Sequence, residues 1–249
     1  MMEFIVSVLA FFAAAVGSVL GVGGGFIFIP VTTNVFAVPP NVAVPASLSM
    51  VLANAVSATW TRAAKNALKL RSNLWLGLAA VPSAVLGSYV GVRLEVELFK
   101  LVFGFFLASA AFLVWMVGKA GPSSGSLEER PFTVGLTVVT AGFLSALLGL
   151  GGGLLMVPAF LIWCRLGPHE AVGTSQFVTA FNAATGIVSY MSLGFFNPVL
   201  FATAVAGGFL GGLVGSRIEL GLPETTLRQV IVVGFLLIGF WMILSTALN

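Results

Sequence analysis

The sequence predicts an all-α membrane protein, a polytopic helical bundle of two homologous repeats, and three observations carry that prediction. Of its 249 residues 59% are apolar and only 8% charged, with a mean hydropathy of +1.10. A water-soluble domain hydrates its outer surface with about 25% charged residues, so an outer surface this poor in charge faces lipid. Charge is also absent from whole stretches: Phe4 to Val38, Leu74 to Val92, Leu101 to Gly118, Phe132 to Cys164 and Gln229 to Asn249. Uncharged runs of about 18 or more residues read as membrane spans, and these are too long and too evenly apolar for the alternating strands of a barrel. Lastly, "GVGGGFIFIP" (Gly21 to Pro30) returns as "GLGGGLLMVP" (Gly149 to Pro158), an offset of 128 positions from Gly21 to Gly149.

The likeness extends beyond the glycines. At the same offset Val44 meets Val172, Ser47 meets Ser175, Asn54 meets Asn182 and Thr61 meets Ser189; further on, "LGSYVGVRLE" (Leu86 to Glu95) aligns with "LGGLVGSRIE" (Leu210 to Glu219). The stretch "GKAGPSSGSLEERP" between the halves has the Gly, Pro, Ser and charge of a solvated loop. The expected organisation is therefore a first transmembrane repeat over 1–117, an inter-repeat loop over 118–131 and a second repeat over 132–249, the internal symmetry of secondary carriers.

Taken in order, each repeat opens with an interrupted segment (about 4–38 and 132–166). Spans near 43–62, 73–92 and 97–118 follow in the first repeat, and near 169–192, 198–216 and 224–247 in the second. One helix of such an opening segment would be about 50 Å long at 1.5 Å per residue, against a hydrocarbon core of about 30 Å, while two full spans would need about 40 residues. Two shortened helices meeting inside the membrane fit, which gives eight to ten membrane segments in all. Arg62, Lys65, Lys69 and Arg71 make the loop after the second span of the first half cytoplasmic, whereas its counterpart, Tyr190 to Pro198, carries no charge. The repeats are thus expected to be inverted. A cleaved leader is not expected, since the chain begins Met1-Met2-Glu3 and has no basic n-region.

Several function classes fall away. The surplus cations sit in one loop, so no basic face remains for nucleic acid. One cysteine, Cys164, makes neither an intramolecular disulfide nor a metal cage. No P-loop Lys-Ser/Thr or βαβ pattern accompanies the glycines, which argues against nucleotide. The spans lack the His, Asp and Glu clusters of a metal or catalytic centre, so no catalytic residue, metal or cofactor is expected. Glu95, Glu97, Glu170, Glu219 and Glu224 fall at expected span ends, leaving a mid-span carboxylate relay unsupported. His169 reads first as an interfacial residue at a helix start, with proton carriage the alternative. Arg93 and Arg217 read as snorkelling anchors or ion-pair partners, with anion attraction at a pore mouth the alternative.

Packing alone explains Gly87/Gly91 and Gly211/Gly215, whose four-residue spacing lets membrane helices approach closely. Three consecutive glycines, each costing about 1 kcal/mol of helix stability relative to Ala, ask for more. If the helix breaks at Gly23, Gly24 and Gly25 and again at Gly151, Gly152 and Gly153, a half-helix starts at depth with uncovered N–H groups and a positive dipole end, an anion site without a charged side chain. A purely structural kink is the other reading. Ser47, Asn54 and Thr61, like Ser175, Asn182 and Ser189, recur at seven-residue spacing and line one helical face. Pro45 suits a first helical turn close to Ser47, and Thr174 and Gln176 add donors. Substrate contact and interhelical hydrogen bonding explain this seam equally.

Paired GxGGGxxxxP motifs, each opening a repeat and each followed by a Ser…Asn helix, resemble the sulfite exporter TauE/SafE family of membrane permeases. The resemblance covers essentially the whole chain and rests on Gly21, Gly23, Gly24, Gly25 and Pro30, then Gly149, Gly151, Gly152, Gly153 and Pro158. It implies a carrier of sulfite, thiosulfate, organosulfonates or other small organic anions in the bacterial cytoplasmic (inner) membrane. The expected function is a secondary transporter of a small, sulfur-containing anion, working by alternating access between the two breaks, with the lipid bilayer and the anion as its partners. An anion channel and a carrier of a small organic carboxylate are the alternatives, and a membrane-embedded enzyme or assembly factor the rival class. A homo-oligomer is an open arrangement that the sequence does not decide.

Overall fold

The computed structural model describes residues 2–65, 70–95, 97–99, 101–102, 105, 109, 112, 125–127 and 131–247. No strand occurs among them. The first half contains α1 (Met2–Leu20), α2 (Gly25–Asn34), α3 (Pro40–Ala64) and α4 (Leu70–Gly91); the second contains α5 (Pro131–Leu148), α6 (Gly153–Ile162), α7 (Pro168–Ser192), α8 (Pro198–Gly221) and α9 (Glu224–Ala247). The span expected near 97–118 and the loop expected over 118–131 lie for the most part outside the described residues. Each opening segment is split in two, as its length and its glycines demand.

Proline opens four of the helices, Pro131 of α5 among them, where its missing N–H costs nothing. Pro40, Pro168 and Pro198 each occupy the first turn of their helix, and the Asn197 side chain accepts from the Val199 and Leu200 amides at 3.1 Å. Because Pro40 starts α3 earlier than expected, Pro45 lies inside the helix rather than in its first turn. At the other extreme α8 outruns its expected end near 216 and continues to Gly221, so Glu219 belongs to the helix.

Among the described residues, four helices are long and apolar enough to cross a membrane: Pro40–Ala64, Asn73–Gly91, Pro131–Leu148 and Pro198–Gly221. Large apolar side chains point outward along the bundle, Trp60 (74% exposed), Phe12, Val188 and Leu210 among them. An apolar exterior of that extent belongs in hydrocarbon. Inside, small residues bring backbones together: Gly207, Gly211 and Gly215 of α8 leave room for Ala10, Ala14 and Ser18 of α1, while Gly208 and Gly212 face Met50 and Asn54 of α3. In the other half α4 packs on α5 in the same manner, with Gly87 against Phe143 and Gly91 against Leu147. The packing role expected for these pairs is met.

Equivalent helices run in opposite directions. Leu48, near the start of α3, lies against Gly186 near the end of α7, and Arg62, near the end of α3, reaches the backbone of His169 at the start of α7. That antiparallel pairing is what inverted repeats require.

Candidate functional site

At the first break α1 stops because Gly21, Gly23 and Gly24 all take positive φ (75°, 92° and 93°), and at the second Gly149, Gly151 and Gly152 do the same (70°, 83° and 74°). A side chain would clash with the following carbonyl in that region, so the sequence needs glycine there. The first chain then turns back on itself, with Gly24 seated against the Ala13 carbonyl of α1. The two breaks also meet each other. A Cβ on Gly25 would strike the Gly149 carbonyl, and one on Gly153 would strike the Gly21 carbonyl. The third glycine of each cluster therefore lets two backbones cross in the middle of the bundle.

The heads of α2 and α6 are bare. Among the described residues, the N–H groups of Gly24, Gly25 and Phe26, and of Gly152, Gly153 and Leu154, have no protein acceptor, although all six residues are buried. Neither half-helix has a side-chain cap. Buried backbone donors are nearly always paired, so six unpaired amides at two crossed helix heads set this place apart from the rest of the bundle. Both positive dipole ends favour a negative occupant.

Side chains from α3 and α7 hold the breaks open by taking up their carbonyls. Ser47 Oγ donates to Gly149 O at 2.7 Å and Ser175 Oγ to Gly21 O at 2.9 Å, each reaching into the opposite half. Asn54 Nδ2 donates to Gly23 O at 2.9 Å and to Ala14 O at 3.1 Å, while the Thr179 hydroxyl donates to Gly151 O. Thr174 Oγ1 accepts from Asn73 Nδ2 at 3.2 Å. Thr61 and Ser189 bond back to their own helices through Ser57 O and Thr185 O. Of the twelve residues expected to bind substrate, Ser47, Ser175 and Thr174 thus have a polar atom committed to protein.

Two others have no such commitment, and Asn54 has it at Nδ2 alone. Both side-chain polar atoms of Asn182 and of Gln176 are buried without a partner, as is Asn54 Oδ1. Asn182 stands beside the head of α6: a Cβ on Gly152 would lie 3.2 Å from its Nδ2, and one on Gly142 would lie 3.0 Å from its Oδ1. Ser145 Oγ, at the end of α5 one turn before the second break, is also buried and unpaired. Repeat matching passes over Ser145 because its counterpart is Gly17, and over Thr179 because its counterpart is Val51. The Asn182 amide beside the bare N–H groups of α6 suits the several acceptor oxygens of a small oxyanion.

A second polar group joins the halves at one end of the bundle. Arg62 and Glu219 are both wholly buried, with Nη2 to Oε2 at 2.5 Å, and the other carboxylate oxygen lies 2.7 Å from His169 Nδ1. Arg62 Nη1 also approaches His169 O at 3.4 Å. Glu219 lies in the last turn of α8, the span end expected of it, and is wholly buried there, where burial of one charge requires the other. Glu95, its counterpart, follows the end of α4 and is exposed. No group of three or more metal-ligating side chains occurs among the described residues.

The model of the family described as sulfite exporter TauE/SafE matches residues 6–242. Similar curated proteins include YunE of Bacillus subtilis (strain 168), named a probable membrane transporter protein, 29% identical over 259 residues that cover 94% of this chain and 95% of the relative. A probable membrane transporter protein of Methanocaldococcus jannaschii is 28% identical over 194 residues (74% of this chain, 71% of the relative), and ORF9 of Sinorhizobium sp, with the same designation, is 26% identical over 230 residues (91% and 86%). No solved structure matches the chain.

Proposed function

The chain belongs to the sulfite exporter TauE/SafE family and is a multi-pass membrane transporter rather than an enzyme; from that premise we propose that its cargo is a small sulfur-containing oxyanion, of the sulfite or organosulfonate class. The anion binds at the crossing of the two glycine breaks, among Gly23, Gly24, Gly25, Gly151, Gly152 and Gly153, with Asn182, Gln176 and Asn54 as side-chain partners. Ser47 and Ser175 line the same place and support the breaks, and Thr174 lines it while bound to Asn73. The repeats, 1–117 and 132–249, move against each other to give alternating access across the bacterial cytoplasmic membrane. The single observation that supports this most is the set of six buried amides without acceptors at the heads of α2 and α6.

An oxyanion fits because such an anion presents several acceptor oxygens to donors in fixed directions, and neutral donors bind it without trapping it. Protein purified into liposomes and loaded with unlabelled sulfite should take up labelled sulfite by counterflow that saturates, with methanesulfonate competing and acetate competing weakly. Counterflow of acetate without that of sulfite overturns the substrate class. Ohmic currents with no counterflow overturn alternating access and leave a channel.

A further inference from the structure

We infer that His169 and Glu219 form a one-proton binding site at one mouth of the transporter, and that the proton must leave before α7 and α8 separate there. Both ring nitrogens of His169 face acceptors: Nδ1 lies 2.7 Å from Glu219 Oε1 and Nε2 lies 3.1 Å from the Leu222 carbonyl oxygen. A carbonyl offers no proton, so Nε2 carries one. Nδ1 and Oε1 then need another between them, because two lone pairs at that distance repel. The other carboxylate oxygen accepts from the Arg62 guanidinium, and two such groups enclosed together are a charged pair. The shared proton therefore resides on the ring, and the cluster is an imidazolium, a carboxylate and a guanidinium.

The proton has a route. The His169 side chain is 28% exposed, whereas Glu219 and Arg62 are fully enclosed, so exchange with water runs through the ring. The groups around it are few: Arg62 from α3, Glu219 from α8, and Glu224 from the head of α9, whose carboxylate lies beside Gly167. Arg228 lies one turn along α9, and Lys65, Arg165, Glu170 and Arg217 are exposed nearby in sequence. When the ring loses its proton, the Nδ1 lone pair meets Oε1, and the charged one of the two His169 links between the start of α7 and the end of α8 is lost, leaving only Nε2 on the Leu222 carbonyl. A proton entering from that side restores it.

The repeat-related place at the opposite end holds no such site. Asn41 stands where His169 does, Tyr190 where Arg62 does, and Glu95 is exposed. By the basic residues that follow α3, the proton site opens toward the cytoplasm. Among the described residues the proton site has no counterpart at the other mouth, so pH on its own side sets how readily that mouth opens, whatever the anion.

The chain has one histidine, so protein labelled with 15N-histidine yields signals from a single ring. In lipid nanodiscs at about pH 6, where histidine titration becomes observable, both ring nitrogens should report as protonated. As pH rises the ring should lose one proton in one step, and at the same pH the Ala171 and Val172 amides should lose at least about tenfold of their hydrogen-exchange protection, beyond the intrinsic rate change. In His169→Gln that step in protection should vanish while the protein stays folded. A ring carrying one proton while α7 is protected overturns the site, and so does a protection step that survives in His169→Gln. Neither readout involves transport, so the anion reading stands or falls separately.

Discussion

At the first glycine break the Asn54 amide donates to Gly23 O, and at the second the Thr179 hydroxyl donates to Gly151 O, while Asn182, at the place equivalent to Asn54, has no protein partner at all. The backbones of the two breaks are near copies, with positive φ at three matching glycines. Their side-chain support is not. A hydroxyl one turn earlier on α7 takes over the structural task and releases an amide. The same divergence recurs at the ends of the bundle, where Arg62 pairs with Glu219 and its counterpart Tyr190 packs its hydroxyl beside Gly91. Duplication supplied two equal frames, and chemistry then settled in one copy of each: unpaired amides at the second break, charge at one mouth.

The largest effect that tests this contrast is at the mouths. Arg62→Met leaves the buried carboxylate with His169 as its one charged partner and should cost about 3–5 kcal/mol in reversible unfolding from mixed micelles. Arg62→Met with Glu219→Met should recover most of that loss, since an apolar pair of similar volume replaces the ion pair without stranding a charge. Tyr190→Phe at the opposite mouth should stay within about 0.5 kcal/mol. Equal losses for Arg62→Met and Tyr190→Phe would mean that the two mouths are energetically alike.

Next in size is the comparison of the two asparagines. Asn54→Ala removes the donor that serves Gly23 O and should cost about 1–3 kcal/mol of stability. Asn182→Ala breaks no protein hydrogen bond, so unfolding should change little, yet the half-saturating sulfite concentration in counterflow should rise about tenfold, the loss of roughly 1.4 kcal/mol of contact to a charged ligand. If instead both variants lose stability and neither changes counterflow, Asn182 is a packing residue and the divergence carries no function.

Much of this was legible in the chain. Segment length and the paired glycine clusters located both breaks, and the charge difference between Arg62–Arg71 and Tyr190–Pro198 indicated the inversion that α3 and α7 display. The polar seam was legible only as a set of residue types. Whether Ser47 or Asn182 finds a carbonyl or no protein partner depends on how distant segments cross, and for Ser47 the carbonyl is 102 positions away, which no local pattern encodes. Matching the repeats even concealed Thr179 and Ser145, because the residues that differ between copies are the ones such matching discards. The burial of Glu219 was hidden for a similar reason: it sits in the last turn of α8, and its partner there, Arg62, is 157 positions away.

The smallest effect asks whether the asymmetry can be moved. Val51 occupies the place of Thr179 and lies against both breaks, with its Cγ1 3.0 Å from where a Cβ of Gly23 would be. In the Asn54→Ala background, Val51→Thr offers Gly23 O a hydroxyl of nearly the same volume, copying the arrangement at Gly151. One neutral hydrogen bond regained in a buried place is worth about 1 kcal/mol, so the double variant should unfold about that much later than Asn54→Ala alone. In the wild-type background the same Val51→Thr change should be neutral or slightly unfavourable, because Asn54 already serves the carbonyl and the new hydroxyl is left to desolvate. That sign reversal between backgrounds is a coupling that only residues sharing one acceptor produce. Additive effects would show that Thr179 and Asn54 are not interchangeable supports, and that the two breaks differ in backbone as well as in side chains.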